Sequence, residues 1–202
     1  MPLWLAATPL VLASKSKIRR SLLVAAGIPI EVRPAELDER AVEAGAPSDA
    51  PDAIAAHLAH EKALVAGRSN PRHLVLGADQ VLALDGKRFT KPPDRTAAMA
   101  QLQLLSGRTH SLHSAVACVQ NGRVVFEHVS VARLTMRTLS ERFLEAYLDA
   151  AGDAATESVG GYQLEGFGSQ LFVGVEGDYF AILGLPLLEV LEFLRRHGCL
   201  LP

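Results

Sequence analysis

The sequence predicts an α/β fold in which a mixed, twisted sheet is flanked by helices. Short apolar runs typical of buried strands alternate with helical patterns along the chain, as they do in α/β proteins. Two long alternating stretches, His110 to Val119 and Arg123 to Met136, flank Asn121-Gly122, the dipeptide most typical of a tight hairpin turn. Because a hairpin makes neighbouring strands antiparallel, we expect both strand directions in one sheet.

Composition favours a single domain over residues 1–202 and argues against several classes of protein. The chain has 20 Lys and Arg residues against 22 Asp and Glu residues, and 49% of it is hydrophobic. This near-neutral charge disfavours a nucleic-acid binder. No stretch approaches the roughly 18 unbroken apolar residues of a membrane span. Two cysteines, Cys118 and Cys199, cannot form a disulfide framework, so we expect a reducing, cytoplasmic setting.

The first third of the chain predicts two strand–helix units. Apolar runs end at polar turns, a glycine after a helical pattern indicates its C-terminal end, and a proline indicates a helix start. The predicted elements are a buried strand from Leu3 to Ala13, a helix from the turn at Ser14 to Gly27, a strand from Pro29 to Arg33, a surface loop from Ala35 to Pro51, and a helix from Pro51 to about Gly67.

The remainder predicts hairpins and three further helices. Thr138 and Glu141 have the spacing of a capping box, which indicates the start of one helix. The predicted elements are a strand from Leu74 to Gly77, a hairpin from Val81 to about Phe89 that turns at Asp85-Gly86, a helix from Pro92 to Gly107, the long hairpin described above, a helix to about Ala150, a Gly-rich section from Gly160 to Gly184, and a helix from Pro186 to Gly198.

Polar and basic residues gather where the first predicted strand meets the first helix. Hydroxyls, unpaired N–H groups at a helix start and cationic side chains together favour a phosphate or another anion. A P-loop is not the explanation, because GxxxxGK[ST] is absent. A serine N-cap followed by a solvated basic face explains the residues equally well. The residues are Ser14, Ser16, Arg19 and Arg20.

Asp79 is the candidate for acid–base or metal chemistry. It follows an apolar run and two small residues, so burial should partly desolvate its carboxylate. The alternative is an aspartate that caps a turn.

Lys62 and Lys91 could neutralise phosphate charge, although each could equally be a solvated surface lysine. Glu39, beside Asp38 in the predicted loop, could add an oxygen ligand for a divalent cation.

Taken together, these segments resemble the Maf family of nucleoside triphosphate pyrophosphatases, and the resemblance covers nearly the whole chain. Each match alone is weak, but their order along the chain is specific. The matching segments are Leu12-Ala-Ser14-Lys-Ser16-Lys-Ile18-Arg19, Leu37-Asp-Glu39-Arg40, Glu61-Lys62, Leu76-Gly-Ala-Asp79-Gln80, Lys91-Pro92, Gly107-Arg-Thr-His110, Gly161-Tyr-Gln-Leu-Glu165-Gly-Phe-Gly168 and Gly184-Leu-Pro186.

The resemblance implies a two-lobed, inosine triphosphatase-like fold with a central cleft, and a homodimer. It implies hydrolysis of a nucleoside triphosphate to the monophosphate and pyrophosphate, with Mg²⁺ or Mn²⁺. Asp79 would accept the proton of water and, with Glu39, contact the metal. The triphosphate would be bound by Ser14, Ser16, Arg19, Lys62 and Lys91. The competing interpretation is a nucleotide-binding regulator of septum formation, which needs no base at Asp79.

Three positions concern the base, and they leave the preferred nucleotide open. Family members that prefer dTTP and UTP carry Thr after the catalytic Asp and Gln before the late Gly. This sequence has Gln80 and Glu165 there, as in the branch associated with N7-methyl-GTP. A carboxylate can accept the N–H groups of a guanine edge. Ile18, however, replaces both the Arg of the first group and the Trp of the second.

Overall fold

The structure is a computed structural model that describes residues 3–202. Its strands are β1 (Leu10–Leu12), β2 (Ile30–Val32), β3 (Val75–Leu84), β4 (Lys87–Phe89), β5 (Thr109–Gln120), β6 (Arg123–Met136) and β7 (Phe172–Glu176). Its helices are α1 (Lys17–Ala25), α2 (Glu39–Ala44), α3 (Pro51–Ser69), α4 (Arg95–Leu105), α5 (Glu141–Ala151), α6 (Ala154–Glu157), α7 (Tyr179–Ile182) and α8 (Leu187–Arg196). Short 3-10 turns cover Val159–Gly161 and Phe167–Leu171.

The strands form one mixed sheet, which confirms the predicted fold class. Their order is β2-β1-β3-β5-β6-β7, and β4 pairs with β3 outside this row. β1 is parallel to β2 and β3, whereas all other pairs are antiparallel. Among residues 3–202, none of the helices combines the length and apolar character needed to cross a membrane.

The β5–β6 hairpin forms as its turn sequence predicts. Asn121 and Gly122 both have positive φ, 51° and 73°, which the tight hairpin turn requires. The twelve-residue β5 and fourteen-residue β6 pair from Thr109 to Gln120 along their length. This hairpin is the largest block of pairing in the sheet, and β3 adds to its other side.

The two faces of β3 contact different parts of the molecule. On one face Leu76 and Ala78 join the cluster that includes α1 and α8, while Leu82 joins the cluster formed by α4 and α5. On the other face Val81 packs with residues of α3. Because side chains alternate along a strand, Asp79 faces α3 and Gln80 faces the boundary between the first two clusters. The two residues therefore lie back to back on β3, and each faces a different part of the apolar core.

One edge of β3 has a break in its pairing, which we call the β3 gap (residues 77–81). β5 occupies one edge of β3 from Val75 to Ala83. On the opposite edge β1 pairs with Val75 and Leu76, and β4 pairs only from Leu82. Between these two strands the edge has no strand partner. Asp79 and Gln80 lie within the gap.

Several predicted elements need correction. The predicted strand from Leu3 to Ala13 is confined to β1, and Leu3 and Leu5 are 63% and 50% exposed. Pro9 interrupts the apolar stretch, and Trp4 instead forms an isolated bridge with Leu200. The predicted loop from Ala35 to Pro51 contains α2, because the Asp38 carboxylate accepts from the backbone N–H groups of Arg40 and Ala41.

Two further predictions were wrong in detail. β3 does not end before Asp79 but continues through it as one ten-residue strand, since pairing with β5 supports residues on both sides. The helix start belongs to Ser140, whose hydroxyl accepts from Phe143 N, and not to Thr138. The Gly-rich section also contains β7 and α7, which its glycine content concealed.

Candidate active site

Ser14, Ser16 and Arg19 lie together where β1 meets α1. Ser16 is the N-cap of α1, and its hydroxyl accepts from Arg19 N at 3.3 Å. The buried Ser14 hydroxyl accepts from Ser16 N and from Arg19 Nη1, both at 3.2 Å. The N-cap that the sequence left open as an alternative is therefore present at Ser16. Ser14 and Arg19 form a separate contact, which capping does not require.

Backbone carbonyls hold the Arg19 side chain. Its Nη1 donates to Ala78 O at 2.8 Å, and its Nε donates to Gly184 O at 2.7 Å. Burial lowers the pKa of Arg19, while Asp79 and Glu39 act in the opposite direction. A guanidinium nevertheless stays protonated in proteins. The junction therefore carries a fixed positive charge of the kind that binds phosphate oxygens.

Lys62 on α3 joins the two predicted carboxylates. Its Nζ lies 2.6 Å from Asp79 Oδ1 and 2.7 Å from Glu39 Oε1. The side chains of Lys62 and Asp79 are only 12% and 13% exposed, whereas that of Glu39 is 58% exposed. The structure thus brings together three residues that lie far apart in sequence. Asp79 does not cap a turn, and Lys62 is not a solvated surface lysine.

The environment of Asp79 gives its carboxyl the character of a base. Burial raises the pKa of Asp79 above its usual value, because desolvation disfavours the charged form. Lys62 and Arg19 lower the same pKa by stabilising the carboxylate, and Glu39 raises it slightly. The direction we support is upward, since desolvation is the largest effect. A raised pKa makes the ionised carboxylate a stronger proton acceptor.

Gln80 lies on the opposite face of β3 and contacts the segment after β7. Its Nε2 donates to Ser114 Oγ at 2.9 Å, Ile182 O at 3.0 Å and Ala181 O at 3.1 Å. Ser114 Oγ donates to Ala181 O at 2.6 Å. The amide predicted to contact the base is therefore already engaged by protein acceptors on its nitrogen side.

The remaining predicted residues lie outside these contacts. Lys91 is exposed in the segment after β4, Glu165 is exposed in a turn, and Ile18 is partly buried on α1 beside Arg19. Within residues 3–202, no hydrogen bond or ion pair joins Lys91 or Glu165 to the cluster. Arg20 is also exposed. A cavity of about 480 Å³ between α4, α5 and α6 contains none of the predicted site residues.

Sequence reasoning missed Ser114 and the carbonyl of Gly184. Ser114 occupies a position of β5 at which its neighbours on the same face, Leu112 and Val116, are buried and apolar. The only signal in the sequence is a serine between apolar residues of the same face. A buried hydroxyl needs a hydrogen-bond partner, so such a serine indicates a specific contact. The Gly184 carbonyl has no signal of its own, since every residue carries one.

The residues of the site could supply some, but not all, of the ligands of a divalent cation. Glu39 and Asp79 present carboxylate oxygens to the same small region around Lys62 Nζ, and Mg²⁺ and Mn²⁺ prefer oxygen ligands. Over residues 3–202, no group of three or more His, Cys, Asp and Glu side chains could hold a metal. The donor set therefore fits a hard cation that takes its other ligands from phosphate oxygens and water.

The fold and the site define an α/β protein in which an arginine held by backbone carbonyls lies close to a buried aspartate with a raised pKa. The chain belongs to the Maf family: the family model described as "Maf-like protein" matches residues 9–197. This confirms the resemblance predicted from the sequence.

Curated relatives match over nearly their whole length. One named "Nucleoside triphosphate pyrophosphatase", from Rhodopseudomonas palustris (strain BisB18), is 56% identical over 99% of both chains. Relatives with the same name in Nitrobacter winogradskyi and Paramagnetospirillum magneticum are 54% and 50% identical, over 99% and 95% of this chain and 99% and 100% of theirs. A structure titled "Structure of a HAM1 protein from Coxiella burnetii" aligns with a TM-score of 0.40 and 14% identity over 63% of this chain and 72% of that chain.

Proposed function

We propose that this chain hydrolyses nucleoside triphosphates to the nucleoside monophosphate and pyrophosphate, with Asp79 as the proton acceptor. The observation that carries the proposal is the contact of Asp79 with Lys62. Asp79 directly follows Ala78, whose carbonyl accepts a hydrogen bond from Arg19. The buried carboxylate of Asp79 and the guanidinium of Arg19 are thereby brought close together. The names of relatives that are 50–56% identical support the same activity.

In this mechanism Asp79 removes a proton from the water that attacks the α-phosphorus. Its raised pKa suits the role, because a weakly acidic carboxyl is a better base when ionised. Lys62 keeps part of the carboxylate population charged, since a nearby ammonium favours that form. Negative charge grows on the bridging and equatorial oxygens as pyrophosphate leaves, so cations placed there act mainly on the transition state.

The triphosphate is bound at the start of α1. Arg19 provides a guanidinium whose direction is fixed by two carbonyls, and Ser14 provides a hydroxyl beside it. Lys91 is exposed in the segment that follows β4. We keep Lys91 as a proposed contact on the strength of the family resemblance.

Asp79 and Glu39 would hold the divalent cation, Mg²⁺ or Mn²⁺, together with the triphosphate. When bound, the cation neutralises phosphate charge. Lys62 lies between the two carboxylates and must share them with the cation. Ile18, Gln80 and Glu165 remain the proposed determinants of the base, with N7-methyl-GTP as one candidate substrate. A cytoplasmic location and a homodimer likewise stay proposals.

The test is pyrophosphate release from a panel of canonical and modified nucleoside triphosphates with Mg²⁺ or Mn²⁺. Asp79→Asn should lower kcat by about 10²- to 10⁴-fold, the usual contribution of a general base, and should still bind nucleotide. Asp149→Asn is a matched control, because Asp149 is an exposed helix residue outside the site. It should retain the activity of the wild type.

Two outcomes would reject the proposal. If the wild type releases no pyrophosphate from any substrate but binds nucleotide, the regulatory alternative is supported instead. If Asp79→Asn keeps the activity of the wild type, Asp79 is not the proton acceptor and the base must be sought elsewhere.

A further inference from the structure

The amide of Gln80 can have only one orientation. Two of its neighbours, Ala181 O and Ile182 O, are backbone carbonyls that accept but cannot donate. Only the NH₂ end of the amide can face them. The third neighbour, Ser114 Oγ, directs its own hydrogen to Ala181 O and so accepts from Gln80. The surrounding acceptors therefore determine which atom of Gln80 faces α7.

These hydrogen bonds attach α7 to the sheet. Gln80 on β3 and Ser114 on β5 are paired across the two strands and lie on the same face. Both donate to the last turn of α7, a helix of only four residues that has little stability of its own. The position of α7 thus depends on side chains of the sheet.

The segment that follows α7 holds Arg19. Gly184 is two residues beyond Ile182, and its carbonyl accepts from Arg19 Nε at 2.7 Å. Gly184 has a φ of 92°, and a Cβ there would lie 3.5 Å from Arg19 Nε and Nη2 and 3.8 Å from Gln80 Cδ. The guanidinium and the amide therefore pack against the same glycine. A shift of α7 would move the carbonyl that orients Arg19.

Ser114 is fully buried and lies among apolar neighbours. A hydroxyl in such a place is unfavourable unless it is hydrogen-bonded, and here it both donates and accepts. A nucleophilic role does not explain the Ser114 hydroxyl, because its partners are Gln80 and Ala181 O and solvent does not reach it. Its contacts run only toward α7 and Gln80.

We propose that Ser114 and Gln80 are positioning residues, which hold α7 and Gly184 so that Arg19 is directed at the polyphosphate of the substrate. The inference rests on the proposed function for the identity of that polyphosphate. It differs from a role of Gln80 in reading the base, because its effect reaches the phosphates through Arg19.

Inorganic pyrophosphate separates the two roles, since it has phosphates and no base. We would measure its binding by calorimetry, with Mg²⁺, to the wild type, Ser114→Ala, Gln80→Met and the double variant. Ser111→Ala is the matched control: Ser111 is on the same strand but on its opposite face, where its hydroxyl contacts Ala83 O and His113 Nε2. Thermal unfolding of each variant shows that it is folded.

Ser114→Ala should weaken pyrophosphate binding by about three- to tenfold, the value of one neutral hydrogen bond. Its KM should rise by a similar factor for every nucleoside triphosphate, with the order of preference among bases unchanged. Gln80→Met should have a larger effect. The two changes should be less than additive in the double variant, because they act through the same helix. Ser111→Ala should bind as the wild type does.

Unchanged pyrophosphate binding in folded Ser114→Ala and Gln80→Met would overturn the inference. So would a KM increase limited to one kind of base, which would make Gln80 a base-reading residue only. Failure of the proposed function looks different: the wild type would then hydrolyse no nucleoside triphosphate, whatever the variants do to pyrophosphate binding.

Discussion

At the scale of single residues, Lys62 has the most demanding environment of the site. Its ammonium is largely buried between a buried carboxylate and a half-exposed one. A buried ion pair gains little net stability over apolar packing, but removal of one partner leaves an uncompensated charge. The presence of this pair therefore points to chemistry at Asp79 more than to stability.

Lys62→Met should move the pH dependence of hydrolysis. Burial raises the pKa of Asp79, and Lys62 lowers it. Without the ammonium, the pKa of Asp79 should rise further, so activity should appear only at higher pH than in the wild type. A profile of kcat/KM against pH measures this shift of the acid limb.

The control for this experiment is Lys87→Met, which removes an exposed lysine at the start of β4 and leaves the site residues unchanged. Its profile should match that of the wild type. If the acid limb of Lys62→Met stays in place while the rate falls, Lys62 serves only to bind phosphate, and another group sets the pKa of the base.

Sequence reasoning named several residues that the structure brings together, while their roles stay predictions. Ser14, Arg19, Lys62 and Asp79 were all predicted, and the structure brings them near one another. Ser114 was not predicted, because a serine in an alternating strand looks like any other half-exposed polar residue. Its burial depends on α7, which is distant in sequence.

At the scale of elements, the contact of α3 with β3 sets the distance between Lys62 and Asp79. A Cβ at Gly77 would lie 2.1 Å from Ala59 O and 2.7 Å from Ala63 N, so only glycine permits the helix to approach the strand this closely. Gly77 and Asp79 point to the same face of β3, toward α3. The backbone of α3 therefore contacts β3 at Gly77, two residues before Asp79 on the same face.

Gly77→Ala should weaken both stability and catalysis. The added methyl would collide with backbone atoms, which cannot move aside as a side-chain tip can, so we expect a loss of about 1–3 kcal/mol or more in the free energy of unfolding. Displacement of α3 should separate Lys62 from Asp79 and reduce kcat. Urea unfolding and pyrophosphate release measure the two effects.

Gly45→Ala is the matched control, because a Cβ there would make an ordinary contact of 3.4 Å with Val42 O. It should be nearly neutral in both assays. Equal stability of Gly77→Ala and Gly45→Ala would show that α3 can withdraw without cost, and would contradict the geometric account.

The sequence predicts a turn or strand correctly where the residues of that element themselves favour its conformation. The Asn121-Gly122 turn was correct because the two residues themselves favour its dihedral angles. β3 was cut short because Asp79 interrupts an apolar run, and its continuity comes from pairing with β5. β7 was missed because its sequence alternates weakly and its partner is β6, some forty residues earlier.

At the scale of the whole molecule, a buried histidine couples stability to pH. His110 is 2% exposed, its Nε2 lies 2.6 Å from Tyr162 OH, and its Nδ1 has no partner. Its ring also packs beside that of Phe172. Burial lowers the pKa of His110 from 6.5 to about 4. The folded protein therefore keeps this histidine neutral at a pH where the unfolded chain protonates it.

Stability should fall as the pH drops from about 6.5 to about 4, because the unfolded state binds the additional proton. The loss assigned to His110 should be on the order of 3 kcal/mol over this range, at about 1.4 kcal/mol per pKa unit. Urea unfolding at pH 7.5 and pH 4.5 measures it. His110→Gln should lose less stability between these two values than the wild type does.

His197→Gln tests whether any histidine would give the same result, since His197 is exposed. It should show the full pH dependence of the wild type. If His110→Gln shows that dependence too, His110 is not the group responsible.

The organisation of the whole chain was predicted only in part. The mixed sheet is confirmed, while the single domain over residues 1–202 and the homodimer stay predictions. The apolar core divides into clusters that β3 and β5 join, and no sequence pattern reveals this division. Gln80 and Ser114 lie between the two clusters on one face of the sheet, and the third cluster is separate because it lies on the opposite face.

The contact between Arg19 and Gly184 has a consequence for the order of events during synthesis. It joins residues 165 positions apart. At about 5–20 residues per second, Gly184 is made roughly ten to thirty seconds after Arg19. A nascent chain can thus contain α1 and its serines while the carbonyl that directs the guanidinium does not yet exist. The fixed orientation of the Arg19 guanidinium is therefore one of the last features that the growing chain acquires.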